Sequence, residues 1–198
     1  MRKFLFLISI VSLISCKDTA TTEKLTATDT EKETAHANPL IMEGEKHFKD
    51  MYQVTFGGDN AEAYWSFDDQ QLIFQSNYAD WEVGCDQMFL MNNGDSFRES
   101  VPKMVSTGKG RTTCAYFLPD NQHIIYASTH LEMEECPDTP LKENGKYVWP
   151  IYDSYDIFVA DLEGNITAQL TNEKGYDAEP TFSPQCDKIV LPVIAVVI

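Results

Sequence analysis

Five cysteines, four histidines and 31 Asp and Glu residues are the groups in this 198-residue chain that could carry chemistry. Their spacing excludes more than it assigns. There is no Gly-x-Ser-x-Gly elbow to present a serine nucleophile and no His-Glu-x-x-His to hold zinc. There is also no glycine-rich loop to cradle phosphate and no Cys-x-x-Cys pair. No catalytic residue, metal ion or cofactor is assigned on this basis. Cys85, Cys114 and Cys136 stand apart, because an oxidising compartment would join one pair among them. Three cysteines do not say which pair. No histidine lies at ligand spacing from them, which argues against a metal. His36, His47, His123 and His130 are scattered and read as surface residues.

Carboxylates and aromatic residues share the segments that read as loops. Asp80, Trp81 and Glu82 fall together, and Glu132, Glu134, Glu135 and Asp138 precede Tyr147, Trp149, Tyr152 and Tyr155. An acidic surface carrying Trp and Tyr suits a peptide, a sugar or a cation. Asp80, Trp81, Glu134, Glu135, Trp149 and Tyr152 are the expected partner-binding residues, since loops on a rigid scaffold are where recognition usually lies. Fifteen Lys and Arg against 31 Asp and Glu leave a net charge of −16. Nucleic acid is excluded as a partner, because phosphates need a basic face.

The N-terminus carries an address. Arg2 and Lys3 precede an apolar run from Phe4 to Ile14, too short to span a bilayer. The run ends in Leu13-Ile14-Ser15-Cys16. This resembles the lipobox of bacterial lipoproteins, in which the cysteine is acylated and becomes the new N-terminus. The resemblance implies a signal peptide over residues 1–15 and lipidation of Cys16. It also implies export to the bacterial cell envelope, at the outer membrane, its periplasmic side or the cell surface. The lipid anchor on Cys16 would then be the membrane partner. Residues 16–46, rich in Thr and Glu and without apolar periodicity, read as a flexible tether.

The remainder, residues 47–198, repeats. Tyr64 to Phe74, Tyr116 to Tyr126 and Thr181 to Leu191 align without gaps. Trp65, Phe117 and Phe182 take one position, and Ile73, Ile125 and Val190 another, at offsets of 52 and 65 residues. A polar stretch between the two positions favours a tight turn, so each segment reads as a β-hairpin. Asp69, Asn121 and Cys186 share its left-handed position. Asp86 to Gly94 aligns with Asp156 to Gly164 as a third strand, and Val105-Ser106 with Leu170-Thr171 as the end of a fourth. A long insert, roughly residues 131–154, separates the second and third strands of the second copy.

Four short strands per unit, repeated in phase, predict an all-β fold. The expected architecture is a partial β-propeller of four-stranded antiparallel blades, two full blades plus the start of a third. Phe182-Ser183-Pro184 with Asp187-Lys188-Ile189-Val190, Tyr155-Asp156-Ile157-Phe158-Val159 and Gln169-Leu170-Thr171 resemble the TolB-type, WD-repeat-like propeller repeat. A closed ring of that type needs more blades, so the resemblance implies a truncated chain. It implies a non-catalytic module at the cell envelope that binds or scaffolds a protein or glycan. The alternative is the propeller portion of a prolyl-oligopeptidase-like hydrolase, or a carbohydrate-active propeller. On such a ring Asp59, Glu62, Asp177 and Glu179 would face the channel with oxygen donors suited to Ca²⁺, though at no recognised ligand spacing.

Overall fold

The computed structural model describes residues 38–98, 100–138, 143–146 and 148–195. The expected signal peptide, Cys16 and the tether up to residue 37 lie outside the described residues, as does Tyr147. Contacts divide the chain between Phe48 and Lys49. In the first unit, residues 38–48 form turns, with the Ile41 N–H donating to the Asn38 carbonyl at 3.1 Å.

The second unit carries twelve described strands. They are β1 (Asn60–Trp65), β2 (Gln71–Ser76), β3 (Gln87–Asn92), β4 (Lys103–Met104), β5 (Thr112–Phe117), β6 (His123–Ser128), β7 (Ser154–Asp161), β8 (Ile166–Gln169), β9 (Gly175–Asp177), β10 (Thr181–Phe182), β11 (Ile189–Val190) and β12 (Val193–Ala195). The first four form one antiparallel sheet in chain order. A second sheet has the order β12-β9-β7-β6-β5, with β8 also on β7. The third is the lone hairpin β10–β11.

Side-chain alternation stacks these sheets. On β6, Ile124 and Tyr126 point one way and Ile125 and Ala127 the other, and all four are fully buried. A strand buried on both faces reads as a continuous apolar run rather than an alternating one. Ile124 and Tyr126 join Ala115 and Phe117 of β5 against Ile73, Met88 and Leu90 of the first sheet. Ile125 and Ala127 pack with Tyr155, Ile157 and Tyr176, under Phe182 of the third sheet. The outer face of the first sheet is closed by Phe74, Phe89 and Met91 with Trp81.

Each of the three aligned segments is a hairpin, and each lies in a different sheet. The turns place Asp69, Asn121 and Cys186 at φ of 58°, 54° and 58°. Two expectations need correction. The fold is all-β, but its three sheets are separate and close into no ring, so they are not the blades of a propeller. The second sheet also runs past four strands, because β7 accepts β9 in parallel, Tyr155 beside Tyr176, and β9 then pairs with β12. The alignment of Asp86 with Asp156 is off by one residue. Ile73 pairs with Leu90 and Ile125 with Val159, which makes Gln87 the counterpart of Asp156. A one-residue slip moves every side chain to the opposite face, and hydrogen bonding agrees with the corrected register. The Ser106 hydroxyl donates to Gln87 Oε1 at 2.7 Å, and the Thr171 hydroxyl to Asp156 Oδ1 at 3.0 Å.

Candidate functional site

The repeat leaves a second mark at the start of each hairpin. Between β1 and β2 the register shifts between Ala61 and Tyr64, and between β5 and β6 it shifts between Thr113 and Tyr116. These β-bulges hold Glu62 at φ 51° and Cys114 at φ 52°. Glu179, just before Pro180 and β10, sits at φ 50°. The three residues are 52 and 65 apart, the offsets of the repeat itself. A non-glycine residue in this region costs about 1–2 kcal/mol, and such outliers gather at functional sites.

All three line one cleft of about 730 Å³. Drug-sized ligands typically occupy pockets of about 300–1,000 Å³. Around them stand Asp59, Gln75, Asn77, Asp86, Arg111 and Thr113, with Val148, Trp149 and Pro150 from the long insert. Gln75 is buried, and its Oε1 receives the Cys114 N–H and the Thr113 hydroxyl, each at 3.2 Å. That pair of bonds braces the bulge of β5. The Asp59 N–H donates to Asn77 Oδ1 at 3.0 Å, and the Tyr64 hydroxyl to Glu62 Oε2 at 2.6 Å. The Trp149 indole N–H donates to the Tyr176 hydroxyl at 3.1 Å, which fixes the ring in the wall.

Charge in the cleft is lopsided. Four carboxyl groups, Asp59, Glu62, Asp86 and Glu179, face one guanidinium, Arg111. Arg111 Nη1 lies 3.2 Å from Asp86 Oδ2. Burial pushes the Asp86 carboxyl above the usual range, Arg111 opposes that, and Asp59 adds to it. The Cys114 thiol is pushed up to about 11 by burial, with smaller contributions from Glu62 and Glu179. Burial thus disfavours the thiolate at this position. Among the described residues, no group of three or more His, Cys, Asp or Glu side chains is placed to hold a metal ion. No described helix is long and apolar enough to cross a membrane.

The structure distributes the six expected partner-binding residues. Trp149 lines the cleft. Trp81 is a core residue, 7% exposed, packed on Phe74 and Phe89. Asp80 accepts the Tyr78 hydroxyl at 2.6 Å beside it. Glu134 pairs with Lys109 at 2.5 Å, and Glu135 is exposed. Tyr152 donates its hydroxyl to the Asp138 carbonyl at 2.7 Å. Cys85 and Cys136 form a disulfide, and Cys114 remains a buried thiol. Of the four oxygen donors considered for Ca²⁺, Asp59, Glu62 and Glu179 share the cleft, and Asp177 is buried away from its lining. Gln75, Asn77, Asp86, Arg111 and Thr113 were not singled out by sequence. The repeat offset was the signal that could have found one of them, since Arg111 lies 52 residues after Asp59.

No family model matches the chain, and no curated protein matches it. The resemblance to the TolB-type or WD-repeat-like propeller is thus left without support from relatives and is contradicted by sheets that do not close. The functions read through it fall as well: the propeller scaffold, the propeller portion of a prolyl-oligopeptidase-like hydrolase and the carbohydrate-active propeller.

Proposed function

We propose that this chain is a binding protein whose cleft takes a small cationic ligand, an ammonium or guanidinium compound, and performs no reaction on it. One observation carries the reading. Three residues held at positive φ at one repeat position, Glu62, Cys114 and Glu179, converge on a single concavity, and two of them are glutamates. With Asp59 and Asp86 they give that concavity an excess of negative charge over Arg111. Trp149 adds an aromatic wall, and a cation over an aromatic face gains about 0.5–2 kcal/mol. The reading of no reaction is supported by Cys114, whose buried thiol lies 3.1 Å from the Thr113 hydroxyl while its backbone N–H donates to Gln75 Oε1.

We place the protein outside the cytoplasm, held to the bacterial envelope through Cys16. The short apolar leader and Leu-Ile-Ser-Cys motif support that placement, and the Cys85–Cys136 disulfide is in keeping with an oxidising compartment. Calorimetric titration with spermidine and agmatine, beside a neutral amide of similar size, tests the ligand class. The cationic probes bind, weaken with added salt, and lose at least about tenfold in affinity on Glu62→Gln or Glu179→Gln substitution. Equal binding of the neutral probe, or indifference to both substitutions, overturns the reading.

A further inference from the structure

We propose that the ligand of the acidic cleft is an amine carrying an aromatic ring, with its ammonium among the carboxylates and its ring in a second, aromatic pocket on the same three hairpins. The proposal rests on the cleft being a cation site and names the rest of the molecule bound there.

The second pocket, of about 430 Å³, lies where residues of all three hairpins meet. Small-molecule sites typically measure about 300–1,000 Å³. Rings dominate its lining: Tyr64, Trp65 and Phe67 from the first hairpin, Tyr116 from the second, and Phe182 with Pro184 from the third. Trp65 and Phe67 are 50% and 57% exposed, whereas Phe117, at the repeat position of Trp65, is 2% exposed. Two large apolar side chains therefore stand in water side by side on a concave wall, and apolar surface clustered in this way marks a place of contact.

Chain order ties the pocket to the cleft. Glu62 lines the cleft, and Tyr64, two residues on, lines the pocket. Cys114 and Tyr116 repeat that step in the second hairpin, and Glu179 and Thr181 repeat it in the third. At about 3.3 Å of rise per residue the step spans about 7 Å, and about 10 Å from Glu62 to Trp65. Side-chain contacts agree. The Tyr64 hydroxyl donates to Glu62 Oε2 at 2.6 Å, and the Tyr64 ring lies 4.0 Å from the Tyr116 ring at 33°. Tyr64 thus meets a cleft carboxylate at one end and forms the pocket's wall with its ring.

The two ends differ in chemistry, and the difference selects the ligand. The cleft sets Asp59, Glu62, Asp86 and Glu179 against Arg111 and favours a positive charge. The pocket's lining holds no Lys or Arg and one carboxylate, Asp69, so it offers an anion nothing. Its rings take another ring by offset or edge-on contact. A polyamine leaves those rings in water, and a neutral arene leaves the carboxylates without a cation. An amine joined to a phenyl ring by a four-carbon chain serves both and covers the span.

Calorimetric titration of the full chain with 4-phenylbutylamine tests the assignment. Beside it are run n-butylamine, which lacks the ring, 4-phenylbutanol, which lacks the charge, and spermidine. 4-Phenylbutylamine binds at least about tenfold more tightly than n-butylamine or 4-phenylbutanol, and Glu62→Gln weakens it at least about tenfold. Trp65→Ala together with Phe67→Ala removes its advantage over n-butylamine. Should that double variant not fold, the Trp65 indole N–H resonance of the native chain decides, assigned by its loss in Trp65→Phe. It shifts with 4-phenylbutylamine and stays in place with n-butylamine. An advantage that survives in the folded double variant overturns the proposal, and so does an unmoved Trp65 resonance. Spermidine separates the two readings. If it binds and the ring adds nothing, the cleft is a cation site and this proposal alone fails. If neither spermidine nor the amines bind better than 4-phenylbutanol, the cationic reading fails and takes this proposal with it.

Discussion

Asp86 and Arg111 meet across 3.2 Å with only 11% and 10% of their side chains exposed. Each stands immediately before a strand, Asp86 before β3 of the first sheet and Arg111 before β5, the edge strand of the second. The pair joins the two sheets at the floor of the cleft. Additional bonds lock its backbone, because the Asp86 carbonyl accepts both the N–H and the hydroxyl of Thr112 at 3.0 Å. Arg111 is thus the structural counterweight in an otherwise acidic site.

Breaking this pair from one side is the costly change. Arg111→Met leaves a buried carboxylate without its cation and is expected to cost about 3–5 kcal/mol. Replacing both partners, Asp86→Leu with Arg111→Met, removes the stranded charge and recovers most of that loss. Urea denaturation with an unchanged slope measures both. A double variant no more stable than Arg111→Met would show that the pair acts through shape rather than charge.

Glu179 predicts a conflict between stability and binding. Its φ of 50° suits glycine better than glutamate. Glu179→Gly relieves about 1 kcal/mol of strain, and the greater freedom of glycine in the unfolded chain takes back part of it. The melting temperature is expected to hold or rise while spermidine affinity drops at least about tenfold. A large fall in melting temperature would mean that the carboxylate is needed for the fold.

The hairpins were legible because their signals are local. Alternating side chains and a polar turn are written into contiguous residues, and the left-handed positions of Asp69, Asn121 and Cys186 follow from the same alignment. The architecture was not, because it depends on pairings between distant segments. Nothing local tells Tyr155 that it will lie beside Tyr176 in parallel, or Gln87 that it rather than Asp86 matches Asp156. Trp81 looked like a recognition residue because Asp80 and Glu82 flank it, yet Phe74 and Phe89 bury it. In the cleft, Glu62 and Glu179 could be singled out as oxygen donors. Gln75 becomes a site residue only when β2 of the first sheet is brought beside β5 of the second.

Gly110 is a position where the backbone leaves no choice. Its φ is +56°, and a Cβ there would lie 2.6 Å from Thr129 Oγ1 as well as against the Met133 and His130 backbone. Gly110→Ala is expected to destabilise by about 2 kcal/mol or more. Gly94 has φ +94° but nothing within 4 Å of its would-be Cβ. Gly94→Ala should therefore carry the conformational penalty alone, about 1 kcal/mol. Thermal melts of the two variants give the ranking, at about 2–4 °C per kcal/mol for a domain of this size. Equal shifts would remove the close contacts of Gly110 as a cause.

His130 should give the fold a dependence on pH. Its ring lies 4.4 Å from the Phe158 ring, and Nδ1 is 3.0 Å from the Ser128 hydroxyl. Burial first, and then the nearby Lys109, holds the imidazole below its ordinary value of 6.5. As pH falls through 6.5 the unfolded chain takes up a proton that the folded chain still refuses, which favours unfolding. The contribution is therefore complete above 6.5 and is lost as pH drops toward the folded value. Asp86 and Asp156, both raised by burial, act in the opposite sense, since their folded forms take protons first. The comparison must isolate the histidine. Urea midpoints of native and His130→Leu chains at pH 7.5 and 5.0 do so, because the other groups are common to both. The native chain is expected to lose more stability between the two pH values than the variant. A variant with the same pH dependence as the native chain would rule out His130 as its source.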